Sequence, residues 1–170
     1  MARSHDDRPP VAPGRVVLAY SRAEAADLAE KWLAAFAGDA SAPGMRRYLW
    51  HIFSYESTPA LSLGPACDQY ALETAAEYVV LSNERDVAFV TDQRPTASSL
   101  RDWFVFPPNM AWTMAFTHED GWLGPYFVRH PQYATRNAEN QARLKKQREA
   151  DQALARKQRE IEDAKKRGWA

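Results

Sequence analysis

A chain of 170 residues with 45% hydrophobic content, six Trp, seven Tyr and seven Phe has enough apolar surface for one core, which predicts a single domain with an appendage. Its 22 Lys/Arg and 22 Asp/Glu cancel formally, but residues 1–135 hold 11 basic against 16 acidic side chains and residues 136–170 hold 11 against 6, an acidic body with a basic tail. The lone Cys67 excludes an internal disulfide and a cysteine-based zinc site; no run approaches the roughly 18–20 apolar residues of a membrane span, and no apolar signal-type segment is present, so the chain reads as cytoplasmic.

Residues 1–14, with Pro9, Pro10, Pro13 and few large apolar groups, read as a disordered leader, and His5 there as incidental. Val16 to Tyr20 is a short apolar run, either a first strand or the lead-in to a helix. Ser21 and Glu24 have the spacing of a capping box, and Ala25, Leu28, Ala29, Trp32 and Phe36 make one apolar helical stripe ending at Gly38. Tyr48 to Tyr55 is rich in aromatic and β-branched residues and reads as a central strand. A short helix is expected over Pro65 to Ala76, then a hairpin of Tyr78–Ser82 with Val87–Thr91. Further strands are expected over Leu100–Phe106, Ala111–Thr117 and Trp122–Val128. The fold class that follows is α+β: a mostly antiparallel sheet of about five strands packed in two layers by one or two helices, over residues 15–131.

From about Arg136 to Arg167 there is neither Gly nor Pro, and Ala, Gln, Glu, Lys and Arg dominate, so residues 132–170 read as a long charged helical tail. Its best heptad frame runs Gln147, Ala150, Leu154, Lys157, Ile161, Ala164, and two good apolar positions in three heptads favour a solvated single helix over a coiled coil. Interspersed acids and the lack of aromatic residues before Trp169 argue against nucleic acid as its target.

Trp112 to Phe127 concentrates five aromatic rings, His118, Glu119 and Asp120. Strand alternation places His118 with Trp112, Met114 and Phe116, and Glu119 with Thr113, Ala115 and Thr117, so only a bend at Asp120-Gly121 would unite the two groups. The candidate polar site is His51, Glu56, His118 and Glu119, as an acid–base set or as ligands for a divalent metal, although no spacing here matches a metal or nucleophile motif. The bland alternative is a backbone-bonded His118 capping an apolar face and a solvated Glu119. Trp112, Thr117, Trp122 and Tyr126 form a candidate binding surface. Cys67 reads as a small, semi-buried residue whose neighbour Asp68 raises rather than lowers its pKa.

The stretches Tyr48-Leu49-Trp50-His51-Ile52-Phe53-Ser54-Tyr55-Glu56, Trp112-Thr113, Thr117-His118-Glu119 and Leu123-Gly124-Pro125-Tyr126-Phe127 resemble an uncharacterised bacterial family of small cytoplasmic proteins, a domain of unknown function. The likeness spans about residues 20–130 and implies that His51, Glu56, His118 and Glu119 act together, without supplying an activity or a cofactor. The expected function is protein interaction, in the manner of a small antidote or immunity-type protein, with the acidic body suiting a basic partner. A small metal-assisted or His/Glu acid–base hydrolase is the alternative, and tail-mediated nucleic-acid contact a third. No resident cofactor is expected, and no membrane.

Overall fold

Ser21 begins the first helix as its sequence demands. The Ser21 backbone N–H donates to the Glu24 carboxylate and the Glu24 N–H donates to the Ser21 hydroxyl, a complete capping box at the head of α1 (Arg22–Phe36). Ala25, Ala29, Trp32 and Phe36 are its buried stripe. The computed structural model describes residues 10–37, 48–54 and 58–168, so His5, Gly38, Tyr55 and Glu56 lie outside the described residues.

The described strands are β1 (Val11–Ala12), β2 (Val16–Ala19), β3 (Leu61–Ser62), β4 (Tyr78–Ser82), β5 (Ala88–Thr91), β6 (Ala97–Ser98), β7 (Trp103–Phe106), β8 (Trp112–Phe116) and β9 (Tyr126–Arg129). Seven of them, two more than expected, form one antiparallel sheet in the order β2-β5-β4-β7-β8-β9-β3. β1 and β6 pair separately, Val11 against Ser98, so this part of the stretch read as leader belongs to the folded residues. Val11 is buried, which explains why it is held.

Both faces of the sheet are covered, which makes three layers rather than the expected two. On one face Val79, Leu81, Phe104, Phe106 and Ala115 pack with α1 and with Leu49, Trp50, Ile52 and Phe53. On the other, Val80, Val105, Trp112, Met114 and Phe127 pack with Val11 and with Ala66 and Tyr70 of α3 (Leu63–Leu72). The two-residue period along β7 and β8 decides which core each side chain enters. Between the first layer and the sheet, the Trp32 indole N–H donates to the Thr113 hydroxyl at 2.9 Å, and that hydroxyl donates to the Val105 carbonyl at 3.4 Å. Thr113→Val keeps the shape but strands the Trp32 N–H in the core. A loss of about 1–3 kcal/mol of unfolding free energy is expected, measurable by urea titration.

The expected central strand at 48–55 is not a strand. His51–Ser54 is a single helical turn, α2, entered through a turn at Leu49 and Trp50. The buried residues are Leu49, Trp50, Ile52 and Phe53, an i, i+1, i+3, i+4 set that a helical turn can place on one side and a strand cannot. A short run in which apolar residues dominate carries no period that separates the two. The Leu49 N–H donates to the Asn83 side-chain oxygen, which ties this turn to the end of β4.

The tail is the helix α4 (Tyr133–Lys166). Its first turns dock on the body: the Tyr133 hydroxyl lies 2.9 Å from both oxygens of buried Glu73, Arg136 and Asn109 exchange two 2.7 Å hydrogen bonds, and the Gln141 amide donates to the Thr74 carbonyl. Beyond Lys145 every described residue is exposed. Among the described residues no helix is long and apolar enough to cross a membrane.

Candidate functional site

Strand β8 ends at Phe116, four residues before the expected bend at Asp120, and that shift redistributes the site. β7 and β8 pair up to Trp103 opposite Phe116. One residue further along, Asp102 precedes β7 and faces the chain leaving β8. The Thr117 N–H and hydroxyl donate to Asp120 Oδ1 at 2.9 and 3.2 Å, while the Asp120 N–H donates back to the Thr117 carbonyl. The Trp122 and Leu123 N–H groups both donate to the Glu119 carbonyl, and Gly121 sits at φ +91°, where a side chain would be strained. At Gly124 a Cβ would lie 2.8 Å from both Asp120 Oδ1 and Thr117 Oγ1, so a side chain there would displace the pair that closes this turn.

The turn swings His118 to the face opposite the expected one. Its ring leaves the Trp112 side and packs against Tyr48 and Trp50, with ring centroids 5.7 Å away in each case. His118 Nδ1 lies 2.8 and 3.0 Å from the two oxygens of Asp102, and the His118 backbone N–H also donates to Asp102 Oδ1. A carboxylate only accepts, so this contact favours the tautomer with the proton on Nδ1, and Nε2 has no hydrogen-bond partner among the described residues. The Asp102 side chain is 2% exposed and that of His118 26%. Such a buried carboxylate persists because it is paired.

His51 packs on the same two rings, 4.9 Å from Tyr48 and 4.5 Å from Trp50. Both histidines therefore flank one aromatic pair. Glu56 lies outside the described residues, and the carboxylate that meets His118 is Asp102 rather than Glu119. Its signal was present in the sequence: alternation puts Asp102 on the Phe104 and Phe106 face, where an acid needs a partner. Of the expected binding surface, Trp112, Thr117 and Tyr126 are buried, and only Trp122, 74% exposed, reaches solvent. Leu123 beside it is also exposed. The buried Trp50 indole N–H, next to His118, has no partner among the described residues. Among the described residues no three His, Cys, Asp or Glu side chains cluster as a metal ion would need.

Residues 25–127 match the family model described as a domain of unknown function, DUF4275. The chain belongs to this family. The DUF4275 match runs from α1 into β9 and contains Asp102, His118 and the whole Thr117–Gly124 turn, but not α4. No curated protein and no solved structure matches the chain.

Charge around the turn of this DUF4275 domain is negative. Burial pushes the Asp120 carboxyl up, against the Thr117 hydrogen bonds that pull it down, and Asp102 nearby raises it further. Cys67 is exposed rather than semi-buried, and desolvation, Asp120 and Asp68 together push its thiol up, which disfavours the reactive thiolate. A carboxyl raised in the folded state contributes stability that is present below its unfolded pKa and lost as pH rises through the folded one. Asp120→Asn keeps an oxygen for Thr117 and removes the charge. Its melting temperature is expected to exceed that of the natural chain at neutral pH, the gap closing as the solution is acidified through the Asp120 titration. A gap that widens on acidification would contradict this sign.

Proposed function

We propose that the domain binds another protein through the Thr117–Gly124 turn, and that the partner offers an apolar pocket with a basic rim. The observation that carries this reading is Trp122, a large aromatic side chain 74% exposed on a turn whose backbone N–H groups from Asp120 to Gly124 all donate within the turn. Rigid, exposed aromatics are the usual anchors of interfaces, because their burial gains much and orders little. Glu119 and Asp120 flank it, and the net charge of −5 over residues 1–135 favours association with a positive surface, such as that of a nuclease-like protein. In this reading Asp102 and His118 hold the turn rather than perform chemistry.

The test compares affinity capture by the natural chain with capture by Trp122→Ala, followed by titration of the identified protein in purified form at rising salt. A partner that binds both chains equally, or whose binding ignores ionic strength, contradicts the proposal.

A second reading is favoured by one observation, the imidazole oriented by a buried carboxylate, its Nε2 without a hydrogen-bond partner among the described residues. An imidazole so held is competent as a general base or acid. On this reading a panel of activated esters and phosphoesters would reveal turnover that His118→Ala abolishes and Trp122→Ala spares. No turnover above the His118→Ala background removes it.

A further inference from the structure

The less exposed side of α4 over its docked turns carries Tyr133, Asn137, Asn140 and Leu144, and the helix then runs free from Lys145 to Lys166, about 33 Å of exposed helix at 1.5 Å per residue. Two large apolar side chains stand on that free stretch seven residues apart, Leu154 at 57% and Ile161 at 48% exposure. They fall on one stripe with Gln147, Ala150, Lys157 and Ala164, alternating three- and four-residue steps.

We propose that residues 146–167 of α4 form a parallel, in-register, two-stranded coiled coil with the same residues of a second copy of this chain. The charges beside the stripe suit this occupant in this orientation. With Leu154 and Ile161 at the first core position of the heptad, the flanking positions before it are Lys146, Ala153 and Glu160, and those after the second core position are Asp151, Gln158 and Lys165. In a parallel pair each flanking residue meets the one five further along the other helix. Lys146 of one copy then faces Asp151 of the other, Ala153 faces Gln158, and Glu160 faces Lys165. Two contacts are attractive, one is neutral and none is repulsive, and the two-fold axis doubles each. Gln147 pairs with its own copy in register, and the Lys157 stem covers apolar surface while its ammonium reaches water.

The bodies do not obstruct this pairing. At 3.6 residues per turn the stripe lies about a quarter turn round the helix from the docked residues, which places the two bodies on opposite sides of the pair. With only two large apolar layers the dimer is weak and concentration-dependent, which accords with the poor seam of the sequence.

Sedimentation velocity of the full chain over a concentration series tests this. The natural chain is expected to pass from monomer to dimer, and Leu154→Glu/Ile161→Glu to remain monomeric with the body intact. Glu160→Lys is expected to weaken the dimer roughly tenfold by turning two attractions into two repulsions. Adding Lys165→Glu in the same chain restores the dimer, because the reversed charges meet again across the pair and not within one helix. A natural chain still monomeric at about 1 mM, a dimer indifferent to the double Glu substitution, or a charge reversal that Lys165→Glu does not rescue would each overturn the proposal.

Discussion

Trp122→Ala is expected to weaken binding of the partner by about 2–4 kcal/mol, on the order of a hundredfold, with little change in the stability of the chain. The two halves of this expectation have separate causes. Trp122 is largely exposed and fills no core, so truncating it leaves no cavity. The turn beneath it is held by the Glu119 carbonyl and the Asp120 carboxylate, neither of which touches the indole in a hydrogen bond. Calorimetric titration of the natural and substituted chains, together with their melting curves, reads both halves. Loss of binding accompanied by a comparable loss of stability would mean that Trp122 supports the fold instead.

Asp102→Ala is expected to be the most damaging substitution at this corner, lowering the unfolding free energy by about 3 kcal/mol. It removes the acceptor of both the His118 backbone N–H and the His118 ring N–H, in a site that is nearly closed to water. It also releases the link between β7 and the turn, so partner affinity should fall with it. Asp102→Asn keeps the volume and one oxygen and should lose roughly half as much. Equal losses from Asn and Ala would indicate that the charge, not the acceptor, is what His118 requires. Guanidinium titration gives the stability, and the same calorimetric assay gives the affinity.

What could be read from the sequence was local. The capping box of α1 and its apolar stripe, and the hairpin of β4 and β5, depend on residues within a few positions of one another, and each stands where expected. The α+β class and the long terminal helix follow from period and composition in the same way. The segment at 48–54 reads as a strand but folds as a helical turn, because its apolar residues outnumber its polar ones and leave no period to separate the two. Alternation puts His118 on the opposite face because it does not register that the strand ends at Phe116, where Asp120 already captures Thr117. Alternation along β7 puts Asp102 on the Phe104 and Phe106 face, but its contact with His118 depends on the register of β7 against β8, which local pattern does not carry. The docking of α4 through Tyr133 on Glu73 is equally remote in sequence, 60 residues apart. Membership of the DUF4275 family covers the turn and its supports, consistent with the expected span of about residues 20–130.

Amide hydrogen exchange on the full chain, free and saturated with the captured partner, tests the central claim most directly. Protection is expected to rise at the amides of residues 119–123, with the edge strand β2 and the free part of α4 unchanged at a fixed chain concentration. Protection gained elsewhere, with the Thr117–Gly124 turn exchanging as it does in the free chain, would contradict the assignment of this turn as the binding surface.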